Sequence, residues 1–179
     1  MSTWSSRGLR GSQFEQSINY TNEKYRELRL ALIQKVPTPI KPVEIDDKRH
    51  ITLAYFEKKS TVDYIGSVQG YPVCFDAKEC KTDTFAMSNV HAHQFDFMRD
   101  FEEQGGISFL LINFLKSDKM YYMRFQELKK FYERSKNGGP KSVKLSELND
   151  KYFIAAKFSV QVHYLEGLNM DIKEMDRLD

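Results

Sequence analysis

From residue 13 onward the apolar side chains Phe14, Ile18, Tyr25 and Leu28 recur at near-helical spacing, which predicts a helix over 13–30. Ser12 stands just before it and Glu15 follows three positions later, the form of a capping box. Residues 31–36 read as a strand. Pro37-Thr38-Pro39-Ile40-Lys41-Pro42 then places three prolines in six residues, which excludes a helix and a central strand and suits a stiff, extended segment. Residues 46–49 form a polar turn, and 51–57 are strand-like again. The stretch 36–59 is therefore predicted as a long two-armed projection carrying Tyr55 and Phe56.

Two further strands, 62–68 and 71–78, are joined by Gln69-Gly70, a hairpin signal. Residues 79–88 are polar and read as a loop. Over 89–104 a helix is expected, with Val90, His93, Gln94, Phe97 and Phe101 along one side and Gly105-Gly106 ending it. The near-continuous apolar run 107–114 predicts a buried strand. A strand over 119–125, a short helix over 126–135, a loop at 137–140 and a final strand over 155–164 complete the chain. There is no internal repeat and no heptad array. This order predicts an α/β fold with a mixed central sheet flanked by helices and a protruding β-stalk at 36–59.

Composition narrows the class. With 179 residues, 41% hydrophobic and 29% charged, the chain fits one globular domain over 1–179. No apolar run approaches the roughly 20 residues of a membrane span. The opening residues have no apolar core, so no secretory signal and no membrane association are expected. Two cysteines, Cys74 and Cys80, are too few for a disulfide framework, and a cytoplasmic chain with reduced thiols is the expectation. Net charge is only +2, but it is unevenly spread: residues 116–157 hold eleven Lys/Arg against five Asp/Glu. Such a stretch suits contact with nucleic acid or an ordinary solvated face, and charge alone favours the latter.

The chemistry concentrates at Asp63 and at Phe75-Asp76-Ala77-Lys78. Side chains alternate along a strand, so Asp76 and Lys78 share one face while Val73, Phe75 and Ala77 share the other. A hairpin can bring Asp63 beside Asp76. Two neighbouring carboxylates repel unless a cation lies between them, and Mg²⁺ takes one or two carboxylates together with waters and phosphate oxygens. Such a site can position a water and polarise a phosphodiester, with Lys78 orienting the water or neutralising developing charge. Taken alone, the same triplet is equally an exposed strand with alternating charges.

The ordered set of short motifs resembles the RecU-type Holliday-junction resolvases, within the restriction-endonuclease-like nucleases. The resemblance rests on Arg10-Gly11, Phe14-Glu15, Thr21-Asn22 and Tyr25, then Lys35-Val36-Pro37-Thr38-Pro39-Ile40. It continues through Ala54-Tyr55-Phe56, Ser60-Thr61-Val62-Asp63-Tyr64, Gly66, Phe75-Asp76-Ala77-Lys78-Glu79, His91, His93 and Gln94, and Lys141-Ser142-Val143 with Glu147-Leu148. It implies a homodimer that binds four-way junction DNA and nicks two strands symmetrically with Mg²⁺ or Mn²⁺. It further implies metal ligation by Thr61, Asp63, Asp76 and Gln94, transition-state stabilisation by Lys78, a stalk at 36–59 that enters the junction centre, and a RecA-type recombinase as partner. The chain departs from the pattern in carrying Asp76 where close relatives usually carry Glu, Cys80 where they often carry Thr, and one residue fewer between Lys78 and Gln94.

Other candidates keep two readings each. Glu15 is an accessory acid of the site or only a member of the capping box. Gln94 is a metal ligand or a core hydrogen-bonding group. His91 and His93 lack the Cys or third His of a zinc site and suit a helix surface or a phosphate contact. Lys35, Lys41, Lys48, Arg49, Lys58 and Lys59 are a solvated rim or, on a projection, contacts to phosphates at a crossover. Tyr55 and Phe56 stack on bases or pack a dimer. Two rival functions remain at this level: an endonuclease acting on linear duplex, which has no need of the projection, and a non-catalytic junction-binding or recombinase-modulating protein, for which Asp76 would be dispensable.

Overall fold

The computed structural model describes residues 13–56, 61–155 and 160–175. Helix α1 (Gln13–Glu27) buries Phe14, Ile18 and Tyr25, and it stops before Arg29, which takes a positive φ of 56°. Leu28, expected on the helix's apolar side, is instead exposed in the turn beyond it. The capping Ser12, with Arg10 and Gly11, lies outside the described residues, as do Lys58, Lys59 and Ser60.

Strand β1 (Ala31–Lys35) leads into a separate antiparallel ribbon, β2 (Ile40–Ile45) and β3 (Ile51–Phe56). Pro42 is tolerated there because the ribbon has only two strands, so its missing N–H interrupts no central ladder. The pairing is irregular between Pro42 and Ile45. Arg49, at φ 65°, closes the expected turn. Every residue of β2 and β3 is exposed.

Next come β4 (Tyr64–Val68) and β5 (Tyr71–Cys80), joined through Gln69 and Gly70 at φ 49° and 94°. Two successive positive φ values are those of a type I′ turn, whose twist matches the paired strands. Then follow β6 (Thr84–Ala86), α2 (Ala92–Glu103), β7 (Ile107–Phe114), β8 (Lys119–Arg124), α3 (Phe125–Lys136), β9 (Ser142–Lys144), β10 (Phe153–Ile154) and α4 (Leu165–Met175). The main sheet has the order β1-β4-β5-β7-β8-β10. Among the described strands only β5 and β7 run parallel, and α2 supplies the crossover that a parallel pair requires.

One face of the sheet carries a row of stacked rings. Tyr64 lies on Phe75 and Phe75 on Phe109 at 4.7 Å between centroids, and Phe109 lies on Tyr122 at 4.4 Å. Helices α1 and α4 cover that row. A Cβ at Gly167 would come within 2.5 Å of the Tyr122 ring, so glycine is what lets α4 settle there. The other face packs α2 and α3, which meet through Phe95 and Tyr132 stacked at 4.0 Å. The mixed α/β sheet flanked by helices, with an exposed β-ribbon, is the architecture expected from the sequence.

Three local expectations are corrected. Residues 79–88 are not a loop: β5 continues to Cys80, and β6 pairs with β9 around the buried side chains of Phe85 and Val143. Three-residue strands are too short to show a period of two. The second helix begins at Ala92, after a turn of 3-10 helix at Met87–Asn89, and buries Gln94, Phe95 and Met98; Phe97 and Phe101 are only partly covered. Among the described residues the last strand is the two-residue β10; of the expected 155–164, residues 156–159 lie outside the described residues, and the chain continues into α4, which the apolar pattern did not reveal.

Candidate active site

The hairpin fixes the central pair. Tyr64 lies opposite Phe75, so one step further Asp63 faces Asp76. Asp63 sits in the approach to β4, where its carbonyl accepts from the Val36 N–H at 2.8 Å and its Oδ2 accepts from the Ala77 N–H at 3.0 Å. Asp76 is completely buried on β5, the sheet strand between β4 and β7. Alternation turns Asp76 toward α2, while Phe75 joins the ring stack on the opposite face.

Lys78, on the same face as Asp76, presses its ammonium against Asp76 Oδ2. Gln94 enters from the first turn of α2. Its Nε2 donates to Asp76 Oδ1 at 2.9 Å, and its Oε1 accepts from the His91 N–H at 3.2 Å and lies 3.4 Å from Lys78 Nζ. One amide therefore satisfies an otherwise unpaired N–H at the start of α2 and holds the buried carboxylate. Of the two readings of Gln94, the structure shows the hydrogen bond. This second duty was missed in the sequence; the spacing His91-x-x-Gln94, a helix start followed three residues later by Gln, is the signal that carries it.

Burial raises the Asp76 carboxyl above the usual carboxylate range; the Lys78 ammonium opposes this and the Asp63 carboxylate adds to it. Its Oδ2 makes no hydrogen bond of good geometry among the described residues, so the cluster leaves a buried carboxylate oxygen aimed at Lys78. Such an oxygen is costly unless a cation neutralises it, and the Lys78 ammonium is the cation the protein itself supplies. The oxygen donors at this corner are the carboxylates of Asp63 and Asp76; the Gln94 amide oxygen already accepts from the His91 N–H, and the Thr61 hydroxyl stands two residues before Asp63. All are oxygen atoms, the set that hard divalent cations prefer. Among the described residues there is no cluster of three or more His, Cys, Asp or Glu side chains.

The remaining candidates are scattered around this corner. Thr61 is half-buried two residues before Asp63, with no hydrogen bond to Asp63, Asp76 or Gln94. Glu15, on the first turn of α1, is bound to Lys35 Nζ at 2.5 Å, so Lys35 is engaged with protein. Tyr64, whose hydroxyl donates to Asn19 Oδ1 at 2.9 Å, packs α1 beside Asp63. The rings of His91 and His93 stack on each other at 5.5 Å at the start of α2. Lys41, Lys48 and Arg49 are exposed on the ribbon and its tip; Lys58 and Lys59 lie outside the described residues. Cys74 is buried, donor or acceptor to Ser108 Oγ at 3.3 Å, and burial pushes its thiol up to about 12, which suits a filler and not a nucleophile.

Residues 9–170 match the family model described as Recombination protein U, RecU. The chain belongs to the RecU family. Proteins named Holliday junction resolvase RecU are similar to it over most of their length. The one from Pediococcus pentosaceus is 36% identical over 94% of this chain and 87% of its own. That of Lactococcus lactis subsp. lactis is 39% identical over 90% and 78%, and that of Staphylococcus aureus 34% over 90% and 81%. Among solved structures, Hjc, a Holliday junction resolvase from Archaeoglobus fulgidus, matches 65% of this chain and 73% of its own, with a TM-score of 0.41 and 11% identity. The RecU resemblance read from short motifs thus holds along the chain.

Proposed function

We propose that this RecU-family chain is a structure-selective endonuclease that resolves Holliday junctions by metal-dependent hydrolysis of phosphodiesters. The observation that carries the reading is the convergence of Asp63, Asp76, Lys78 and Gln94 from β4, β5 and α2 onto one corner of the sheet. Asp63 and Asp76 are the metal-binding carboxylates, with Thr61 and Gln94 completing an oxygen set for Mg²⁺, or Mn²⁺ in its place. When bound, the cation supplies Lewis acidity at the phosphate and an activated water.

The chain's own groups do the rest. Gln94 Nε2 fixes the rotamer of Asp76, and the Ala77 N–H fixes Asp63. Lys78 is mostly buried beside them, so its ammonium is placed where negative charge develops on the phosphoryl oxygens and little water competes. Glu15, which pairs with Lys35 on the first turn of α1, is a candidate accessory acid of the same reading. The ribbon, with Lys41, Lys48 and Arg49 exposed on it, is the element that contacts the junction, together with Lys35, Lys58 and Lys59. A four-way junction has approximate two-fold symmetry, so a homodimer with two equivalent sites cuts opposing strands. A RecA-type recombinase partner belongs to the same reading, and so does a cytoplasmic location; no helix among the described residues is long and apolar enough to cross a membrane.

The test uses a labelled synthetic four-way junction and a linear duplex of the same sequence, each with Mg²⁺, Mn²⁺ or EDTA. Paired nicks confined to the junction, absent in EDTA and with Asp76→Asn, are expected. Equal cutting of the duplex would replace this reading with a duplex endonuclease. Tight junction binding with no cleavage under either metal would make the chain a non-catalytic binder.

A further inference from the structure

Between the segment that leads into α2 and the C-terminal end of α3 (below, the α2–α3 groove) lies a groove of about 730 Å³. Its lining includes Ser88, His91, Tyr132, Ser135, Lys136 and Lys141, and no lining residue is acidic. Three other concavities of the surface differ in charge. One sets Asp83 and Asp150 against Lys119 and Lys144, one carries Glu79 and Asp118, and one, at Gln13, Ser17 and Gln161, has no charged lining. The α2–α3 groove alone among these four is cationic.

Its construction is specific. Tyr132 is braced by its stack on Phe95, and Lys136 Nζ lies 5.1 Å above the Tyr132 ring, so the floor and one ammonium are held together. Lys136 and Lys141 are exposed, and neither forms an ion pair among the described residues. The groove also borders the start of α2, although none of Asp63, Asp76, Lys78 and Gln94 lines it. His91 lines it, the His91 N–H is held by Gln94, and Gln94 holds Asp76: two hydrogen bonds separate the groove wall from the buried carboxylate.

We infer that the α2–α3 groove seats the sugar–phosphate backbone of the DNA arm flanking the scissile phosphate, with Lys136 and Lys141 as its phosphate contacts. This inference rests on the nuclease reading above. It assigns affinity to a surface distinct from the ribbon: the ribbon meets the crossover, and the groove holds a duplex arm without reading its sequence.

The test compares Lys136→Ala/Lys141→Ala with Lys129→Ala/Lys130→Ala, which removes the same charge from exposed positions of α3 outside the groove. Binding of the synthetic junction and of the linear duplex is measured in EDTA across a salt series, and single-turnover cleavage is measured at saturating protein. Each lost phosphate contact removes about 0.9 from the slope of log affinity against log salt, so the groove variant should flatten that slope by about 2 and bind about tenfold or more weakly. Its cleavage rate at saturation should match wild type, and the Lys129/Lys130 variant should change little on either substrate. If the two variants behave alike while wild-type protein binds and cuts, the groove inference is wrong and the nuclease reading stands. If wild-type protein binds neither junction nor duplex, both fall together.

Discussion

The corner built by β4, β5 and α2 and the ribbon built by β2 and β3 are opposite solutions within one short chain. In the corner, Asp76 has no exposed surface and is gripped by Gln94 and Lys78, and the backbone beneath it pairs on both sides. In the ribbon no residue is buried, although Ile40, Val43, Ile45, Ile51, Leu53, Tyr55 and Phe56 are all apolar. A two-stranded ribbon is marginal by itself in water, and this one buries nothing against its own domain. The corner is therefore determined by the fold, whereas the ribbon contributes apolar and basic surface left open to a partner. The difference predicts that chemistry and substrate choice are separable by mutation.

The largest effect is expected at the corner. Asp76→Asn keeps the size and a hydrogen-bonding oxygen for Gln94 but removes the charge that a cation requires. Turnover on the junction should fall by about 10³-fold or more, while junction affinity in EDTA stays within a few-fold of wild type. A variant that cleaves normally would remove Asp76 from the site. Next in size is replacement of 40–56 by a short Gly/Ser linker. Preference for junction over duplex should drop by about tenfold or more, as contacts to the crossover are lost, and the melting temperature should move by only a few degrees. Collapse of the fold on this deletion would show that the ribbon is structural and would end the contrast.

How much of this was legible in the chain follows from the length of each signal. The Asp63–Asp76 juxtaposition was readable because Gln69-Gly70 dictates a two-residue turn, and the turn sets the register for everything beside it. The ribbon was readable because three prolines forbid the alternatives. The buried side of α2 was misassigned in part, since Phe97 and Phe101 look more apolar than Gln94, yet it is Gln94 that the site pulls inward. Helix α4 was hidden because Gly167 lowers its helix propensity and Asp171 breaks its apolar face. Both are explained only by Tyr122, which packs against Gly167 and donates to Asp171 Oδ2 at 3.1 Å. Tertiary contacts of that kind leave no periodic trace.

A smaller effect sharpens the contrast from the far end of α2. Glu102 accepts from the Ser108 N–H at 2.5 Å, yet burial raises its carboxyl to about 7. Asp171, also buried, is raised to about 6, although Tyr122 and Arg124 oppose this. Because the folded protein holds these protons more tightly than the unfolded chain, their contribution to stability is complete below about pH 4 and is lost as pH rises toward 7. Denaturant midpoints measured from pH 4 to 8 should fall with pH in wild type. Glu102→Gln, which keeps the acceptor for Ser108, should flatten that fall and be more stable than wild type at pH 8 by about 2–3 kcal/mol. An unchanged pH profile would show that Glu102 is not held in a desolvated state.

The smallest effect is the most direct check of the ribbon's isolation. Leu53→Thr and Phe56→Thr exchange an exposed apolar side chain for a β-branched polar one that suits a strand equally well. If the ribbon packs on nothing in its own chain, each should shift unfolding free energy by no more than about 0.5 kcal/mol. The same exchange at the corner's foundation, Phe75→Thr, removes a ring stacked between Tyr64 and Phe109 and should cost about 3 kcal/mol or more. Chemical denaturation measured at several protein concentrations makes the comparison informative in a second way. A ribbon used only by DNA gives no loss at any concentration. A ribbon that packs against a second copy of the chain gives a loss that grows as the protein is concentrated, because stability gained on association depends on concentration. The ribbon's apolar side chains would then be assigned to assembly, and its basic ones, Lys41, Lys48 and Arg49, would remain the contacts that choose the junction.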